Sequence, residues 1–159
     1  MKPSRRQVFE ASAAFLTASP LPAQIRQTEG TQTSPGIRNQ LRHLIEGYRI
    51  TQMLHVAAKL DIADHLKRGP LPVKELARLT STHEDSLYRL LRTLAGLGVF
   101  AEEDGPAFRL TPMGSFLRSD APDSLRVSAE VNGEPWMWRP WGHLMHSIKT
   151  GEVAFDNLY

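Results

Sequence analysis

The sequence predicts a mainly α-helical protein with one small β-hairpin, and three observations carry that prediction. Leu87, Leu90, Leu91 and Leu94 recur at three- and four-residue steps, the spacing of one helix face. Leu41, Leu44, Ile45, Tyr48, Met53 and Ala57 repeat that pattern earlier in the chain, with Arg38, Arg42, Glu46 and Arg49 between them. Asp104-Gly105, a hairpin-turn pair, separates two short runs suited to strands, Val99-Phe100-Ala101 and Phe108-Arg109-Leu110.

Composition narrows the function classes. With 41% hydrophobic and 23% charged residues among 159, the chain falls in the soluble globular range. A net charge of +2 does not mark a nucleic-acid binder without a clustered basic face. The absence of cysteine excludes disulfides, thiolate catalysis and cysteine zinc sites. His143 and His146 stand three apart, on one side of a helix, but no carboxylate run accompanies them. They read as packing or polar-lining groups rather than metal ligands, and no metal is expected.

Residues 1–36 precede the predicted fold. Ser4-Arg5-Arg6-Gln7-Val8-Phe9 has the form of a twin-arginine export signal, with Arg5 and Arg6 as its pair, and a small-residue stretch follows to residue 23. Glu10 interrupts the apolar part and Leu21-Pro22-Ala23 is a poor cleavage site, so a leader from an upstream start codon is the other reading of residues 1–23. Residues 24–36, rich in Gln, Thr, Gly and Ser, read as a flexible linker. No run approaches the roughly 20 apolar residues of a membrane span, so no stable membrane insertion is expected.

The first domain is placed at residues 37–120. After its opening helix, Leu60, Ile62, Ala63 and Leu66 lead to Lys67-Arg68-Gly69-Pro70, a helix stop. Pro72 opens a short helix with Val73, Leu76 and Ala77 on one face. Ser81 with Glu84, or Thr82 with Asp85, has capping-box spacing for the leucine-rich helix, and Gly98 is placed for a left-handed cap. Thr111-Pro112 caps a further short helix holding Met113, Phe116 and Leu117. Helix, turn, helix and hairpin together make a winged-helix arrangement. Residues 121–159 read as helical again, interrupted at Pro122, Pro135 and Pro140, with Trp136, Trp138 and Trp141 within six residues.

A winged helix raises the alternative of a DNA-binding transcription regulator. In such a reader the start of the second helix meets base edges, with phosphates close by. Here that start is Glu84-Asp85, and the wing carries Glu102, Glu103 and Asp104, where phosphate contact needs Lys or Arg. These charges favour a protein-packing module and no nucleic-acid partner.

Four ordered segments carry a resemblance to a known family. They are residues 57–66, residues 87–94, Leu110-Thr111-Pro112-Met113-Gly114, and Trp141-Gly142-His143-Leu144 with Gly151-Glu152-Val153-Ala154-Phe155. In that order they resemble the dimerisation domain of S-adenosylmethionine-dependent O-methyltransferases of the plant-type and bacterial small-molecule group, such as hydroxyneurosporene and polyketide O-methyltransferases. The resemblance implies a cytoplasmic homodimer whose apolar helix faces, with Leu41, Leu44, Tyr48, Leu87, Leu90, Leu91 and Leu94, complete a core within or between chains. It implies a small hydroxyl substrate, aromatic or polyketide-like, and residues 121–159 as a helical connector and substrate lid. Trp136, Met137, Trp138, Trp141, His143, Met145 and His146 then line the acceptor pocket, although the tryptophans equally suit simple packing.

The family's cofactor domain is a Rossmann-like fold with a glycine-rich loop after its first strand. Gly96 and Gly98 close a leucine-rich helix instead, so neither that loop nor the catalytic base is expected here. S-adenosyl-L-methionine is accordingly expected in the complete enzyme and not on these residues, which are expected to be inactive alone.

Overall fold

The computed structural model describes residues 34–159; the export-signal reading of Arg5 and Arg6 lies outside the described residues, as does most of the expected linker. Leu44–Tyr159 forms one compact unit, and of the residues before it only the start of a helix is described.

Helix α1 (Ser34–Lys59) begins three residues ahead of expectation, so Ser34-Pro35-Gly36 are helical rather than linker. Proline is tolerated in a first turn because the N–H it lacks has no intrahelical partner there. The helix stops where Asp61 adopts a left-handed conformation, φ 55°, and the chain re-enters α2 (Ile62–His65) and a 3-10 turn over Leu66–Arg68.

Strand β1 (Leu71–Pro72) leads directly into α3 (Val73–Thr80), which buries Val73, Leu76 and Ala77 as the spacing predicts. Helix α4 spans Glu84–Gly96. Its expected capping box does not form. The first helical bond runs from Leu87 N–H to the His83 carbonyl, so the cap falls one or two residues beyond Thr82 and Ser81. Ser81 is instead the left-handed cap that ends α3, and the Thr82 hydroxyl pairs with that of Thr80 at 2.9 Å.

The other end of α4 is a Schellman turn. Val99 N–H reaches the Leu94 carbonyl at 3.0 Å and Gly98 N–H reaches Ala95 at 2.9 Å. Gly98 supplies the φ of 79° that the turn requires, and Leu94 and Val99 are both buried. Strands β2 (Phe100–Glu102) and β3 (Ala107–Leu110) follow, with Gly105 at φ 83° in their turn.

Two strands were expected, but the sheet has three, antiparallel in the order β1-β3-β2. Leu71 pairs with Phe108, and Phe100 with Leu110. Two residues ending in proline give little period-2 signal, and Pro72 is accommodated because β1 is an edge.

The core lies between this sheet and helices α1 to α4. Ile62, Leu66, Leu76, Leu91, Leu94, Phe100 and Phe108 are its fully enclosed side chains. Beyond β3, the Thr111 hydroxyl sits 2.7 Å from the Val99 carbonyl oxygen, and Gly114 N–H donates to that hydroxyl at 3.0 Å. This ties the 3-10 turn Gly114–Leu117 to the end of α4.

Four helices complete the chain: α5 (Arg126–Gly133), α6 (Pro135–Gly142), α7 (Leu144–Thr150) and α8 (Ala154–Leu158). Pro135 opens α6 as a first-turn proline should, but Pro140 lies inside that helix instead of interrupting it. In a helix this short, its missing N–H costs one bond in the last turn.

Candidate substrate face and dimer surface

The leucine-rich groups taken together in the sequence separate in space. Leu87, Leu91 and Leu94 belong to the interior, and Leu90 is half-buried against it. Leu41, Leu44 and Tyr48 are exposed on α1, joined there by Ile37 and Ile45. A run of large apolar side chains left in solvent on one long helix marks an interaction surface.

Tyr48 links that run to the tryptophan-bearing helix. Its ring lies 6.1 Å from Trp138, tilted by 43°. Trp136, Met137 and Trp138 on α6 are half-buried, whereas Trp141, at the end of the same helix, is 54% exposed. On α7, Met145 is exposed and His146 half-buried; His143, between the two helices, is exposed. The structure thus brings Trp136, Met137, Trp138 and Trp141 onto one short helix, with Met145 and His146 on the next. His146 Nε2 lies 3.0 Å from Glu152 Oε2 across the turn that Gly151, at φ 76°, makes after α7. Among the described residues no three His, Cys, Asp or Glu side chains are grouped to hold a metal ion.

Polar residues to which the sequence reading gave no role at the site hold this region in place. Arg126 stands 2.5 Å from Asp61, 3.1 Å from Asp64 and 2.7 Å from Glu130. The Glu130 bond and the two aspartates raise its already high pKa. Asp64 also accepts from the Ser119 N–H and hydroxyl, both at 3.0 Å. Lys59 bonds Glu134 at 2.6 Å, which holds the Glu134 carboxyl below its usual range. His55 Nδ1 lies 2.7 Å from the Glu130 carbonyl oxygen. The available signal was the four-residue step from His55 to Lys59 on α1, but neither residue declares its partner.

The residues that a DNA reader would use, at the start of α4 and in the β2–β3 turn, are acidic. Glu84, Asp85, Glu102, Glu103 and Asp104 are all exposed. Tyr88 donates to Glu102 at 2.8 Å, which pushes the phenol pKa up, and Arg109 is occupied by Glu103. Among the described residues no helix is long and apolar enough to cross a membrane.

Known proteins match this chain in sequence and in fold. A phenazine O-methyltransferase from Lysobacter antibioticus is 45% identical over 119 residues, 75% of this chain and 35% of that enzyme. The crystal structure of LaPhzM superposes with a TM-score of 0.74 at 42% identity, over 77% of this chain and 37% of that one. CalO1, a methyltransferase in calicheamicin biosynthesis solved with S-adenosylhomocysteine bound, gives a TM-score of 0.63 at 32% identity, over 74% and 35%. The chain therefore spans about a third of the length of the relatives it matches. Residues 42–120 match the O-methyltransferase dimerisation domain, and through them this chain belongs to that family.

Proposed function

We propose that this chain supplies dimerisation and substrate enclosure to an S-adenosylmethionine-dependent O-methyltransferase acting on a small aromatic hydroxyl compound. One observation carries the reading: the exposed apolar face of α1 runs, through the contact of Tyr48 with Trp138, into a helix with three tryptophans. The first part suits a second copy of the chain, in which matching faces meet about a twofold axis. The second suits a flat acceptor, which needs large apolar walls and a few polar groups. Trp136, Met137, Trp138, Trp141 and Met145 form the walls, and His143 or His146 offers the polar contact.

On this reading residues 37–120 are a winged-helix packing module and residues 121–159 a connector and lid. The acidic face disfavours a phosphate lattice, so no nucleic acid is a partner. Methyl transfer needs the sulfonium carbon and the acceptor oxygen held in line. That geometry belongs to a cofactor domain, and these residues alone neither bind the methyl donor nor transfer from it. The enzyme works in the cytoplasm, where the donor is made, and a reporter fused to residues 1–30 stays there.

The purified 159-residue chain tests the proposal by sedimentation and by titration with a hydroxylated fused-ring aromatic. A dimer whose tryptophan emission is quenched by the aromatic, with no heat of S-adenosylmethionine binding, is expected. A monomer at all concentrations, or salt-sensitive binding to duplex DNA, overturns it.

A further inference from the structure

Three residues on α1 meet the tryptophan-bearing segment in step. Tyr48 touches Trp138, His55 touches the end of α5, and Lys59 bonds Glu134 at the start of α6. Steps of seven and four residues keep all three on one side of the helix.

The His55 contact has two features beyond ordinary packing. The first concerns its acceptor. In a continuing helix the Glu130 carbonyl would take the N–H of Glu134. Glu134 is extended instead, φ −67° and ψ 143°, as a residue before proline is driven to be. Its N–H goes to Val131 at 3.1 Å, so the Glu130 oxygen remains at the negative end of α5 in need of a donor. His55 Nδ1 supplies it at 2.7 Å. A carbonyl only accepts, so Nδ1 is the ring nitrogen that carries the proton.

The second feature is Gly133, which is helical and buried. A Cβ there would fall 2.1 Å from His55 Cγ and 2.3 Å from His55 Cβ. The clash is at the base of the histidine side chain, where no rotamer relieves it. Glycine is present for space, not for its backbone freedom.

We infer that His55 is a positioning residue: seated on Gly133 and bonded to Glu130, it sets the bend between α5 and α6 and so aims Trp136, Trp138 and Trp141 at the acceptor. It does not touch the substrate itself. The clasp stands on geometry alone, and its consequence for the acceptor rests on the pocket reading proposed above.

All three tryptophans of the chain lie in α6, so tryptophan emission, excited at the red edge where tyrosine does not absorb, reports that helix. In the full chain, His55→Leu keeps bulk and removes the donor. The expected result is a red-shifted emission and stronger acrylamide quenching at unchanged dimer mass. His55→Asn places an amide nitrogen near the position of Nδ1, and it restores the wild-type emission; a general loosening of packing would not be rescued this way. Nuclear magnetic resonance of the wild-type chain labelled at histidine nitrogens, at pH 8.5, needs no variant and shows His55 as the Nδ1–H tautomer. An Nε2–H tautomer, or unchanged emission in a folded His55→Leu chain, overturns the inference. Failure of the pocket reading looks different: the aromatic ligand leaves wild-type emission unchanged while the His55 results stand.

Discussion

Leu44→Ala removes an apolar side chain from the exposed face of α1 without disturbing the helix, because alanine is the better helix former. Leu44 is 67% exposed in the single chain. Burying a leucine completely contributes about 1.5–3 kcal/mol, so the two-thirds still available amount to about 1–2 kcal/mol per copy. A twofold interface contains the residue twice, which doubles the effect to about 2–4 kcal/mol. At 1.4 kcal/mol per tenfold, dimer dissociation should rise roughly 30- to 700-fold. Sedimentation over a concentration series measures this directly, with circular dichroism confirming unchanged helix content. A folded Leu44→Ala chain with the wild-type dimer affinity would refute the argument that this face is where two copies meet.

Three further outcomes follow from the interior and the ion pairs. Leu91→Ala opens a hole at a fully enclosed position and should cost about 2–5 kcal/mol, read as a lower urea midpoint at constant slope. Gly114→Ala forces a Cβ to 2.1 Å from the Val99 carbonyl oxygen; a loss of about 1–3 kcal/mol is expected, and wild-type stability would contradict the tight approach. The carboxyls of Glu75, Asp120 and Glu134 are held below their usual range by hydrogen bonds from Arg78, Lys67 and Lys59. Their folded pKa values lie below the unfolded ones, so the stabilisation is present above about pH 4 and is lost as pH falls through the folded values. Thermal scans from pH 6 to pH 2 should show Tm falling at the acid end, less steeply in high salt because these pairs are exposed; a flat profile would contradict it.

Elements with strong periodicity were legible in the sequence. The Leu87–Leu94 stripe, the Val73-Leu76-Ala77 face and the Gly98 cap all appear where spacing and glycine place them, because each is a local decision of one helix. What escaped the sequence depends on distant residues. Strand β1 exists because β3 pairs with Leu71 and Pro72, and two residues carry no period of their own. The capping box failed because Ser81 was already taken as the cap of the preceding helix. The candidate site was legible as a cluster of tryptophans, yet its supports were not. Arg126 finds its aspartates more than 60 positions away, and His55 finds Glu130 at a separation of 75. No periodicity encodes such pairings.

The Arg126 network also bears on where a workable fragment ends. The family match closes at residue 120, yet Asp61 and Asp64 draw their guanidinium from residue 126, and the histidine of α1 finds its acceptor at residue 130. A piece cut at residue 120 would take the guanidinium from both carboxylates at the corner between α1 and α2, leaving Asp64 with its bonds from Ser119. Recombinant pieces meant to stand alone should therefore run through Pro135, so that the partners of α1 on α5 and at the start of α6 travel with it.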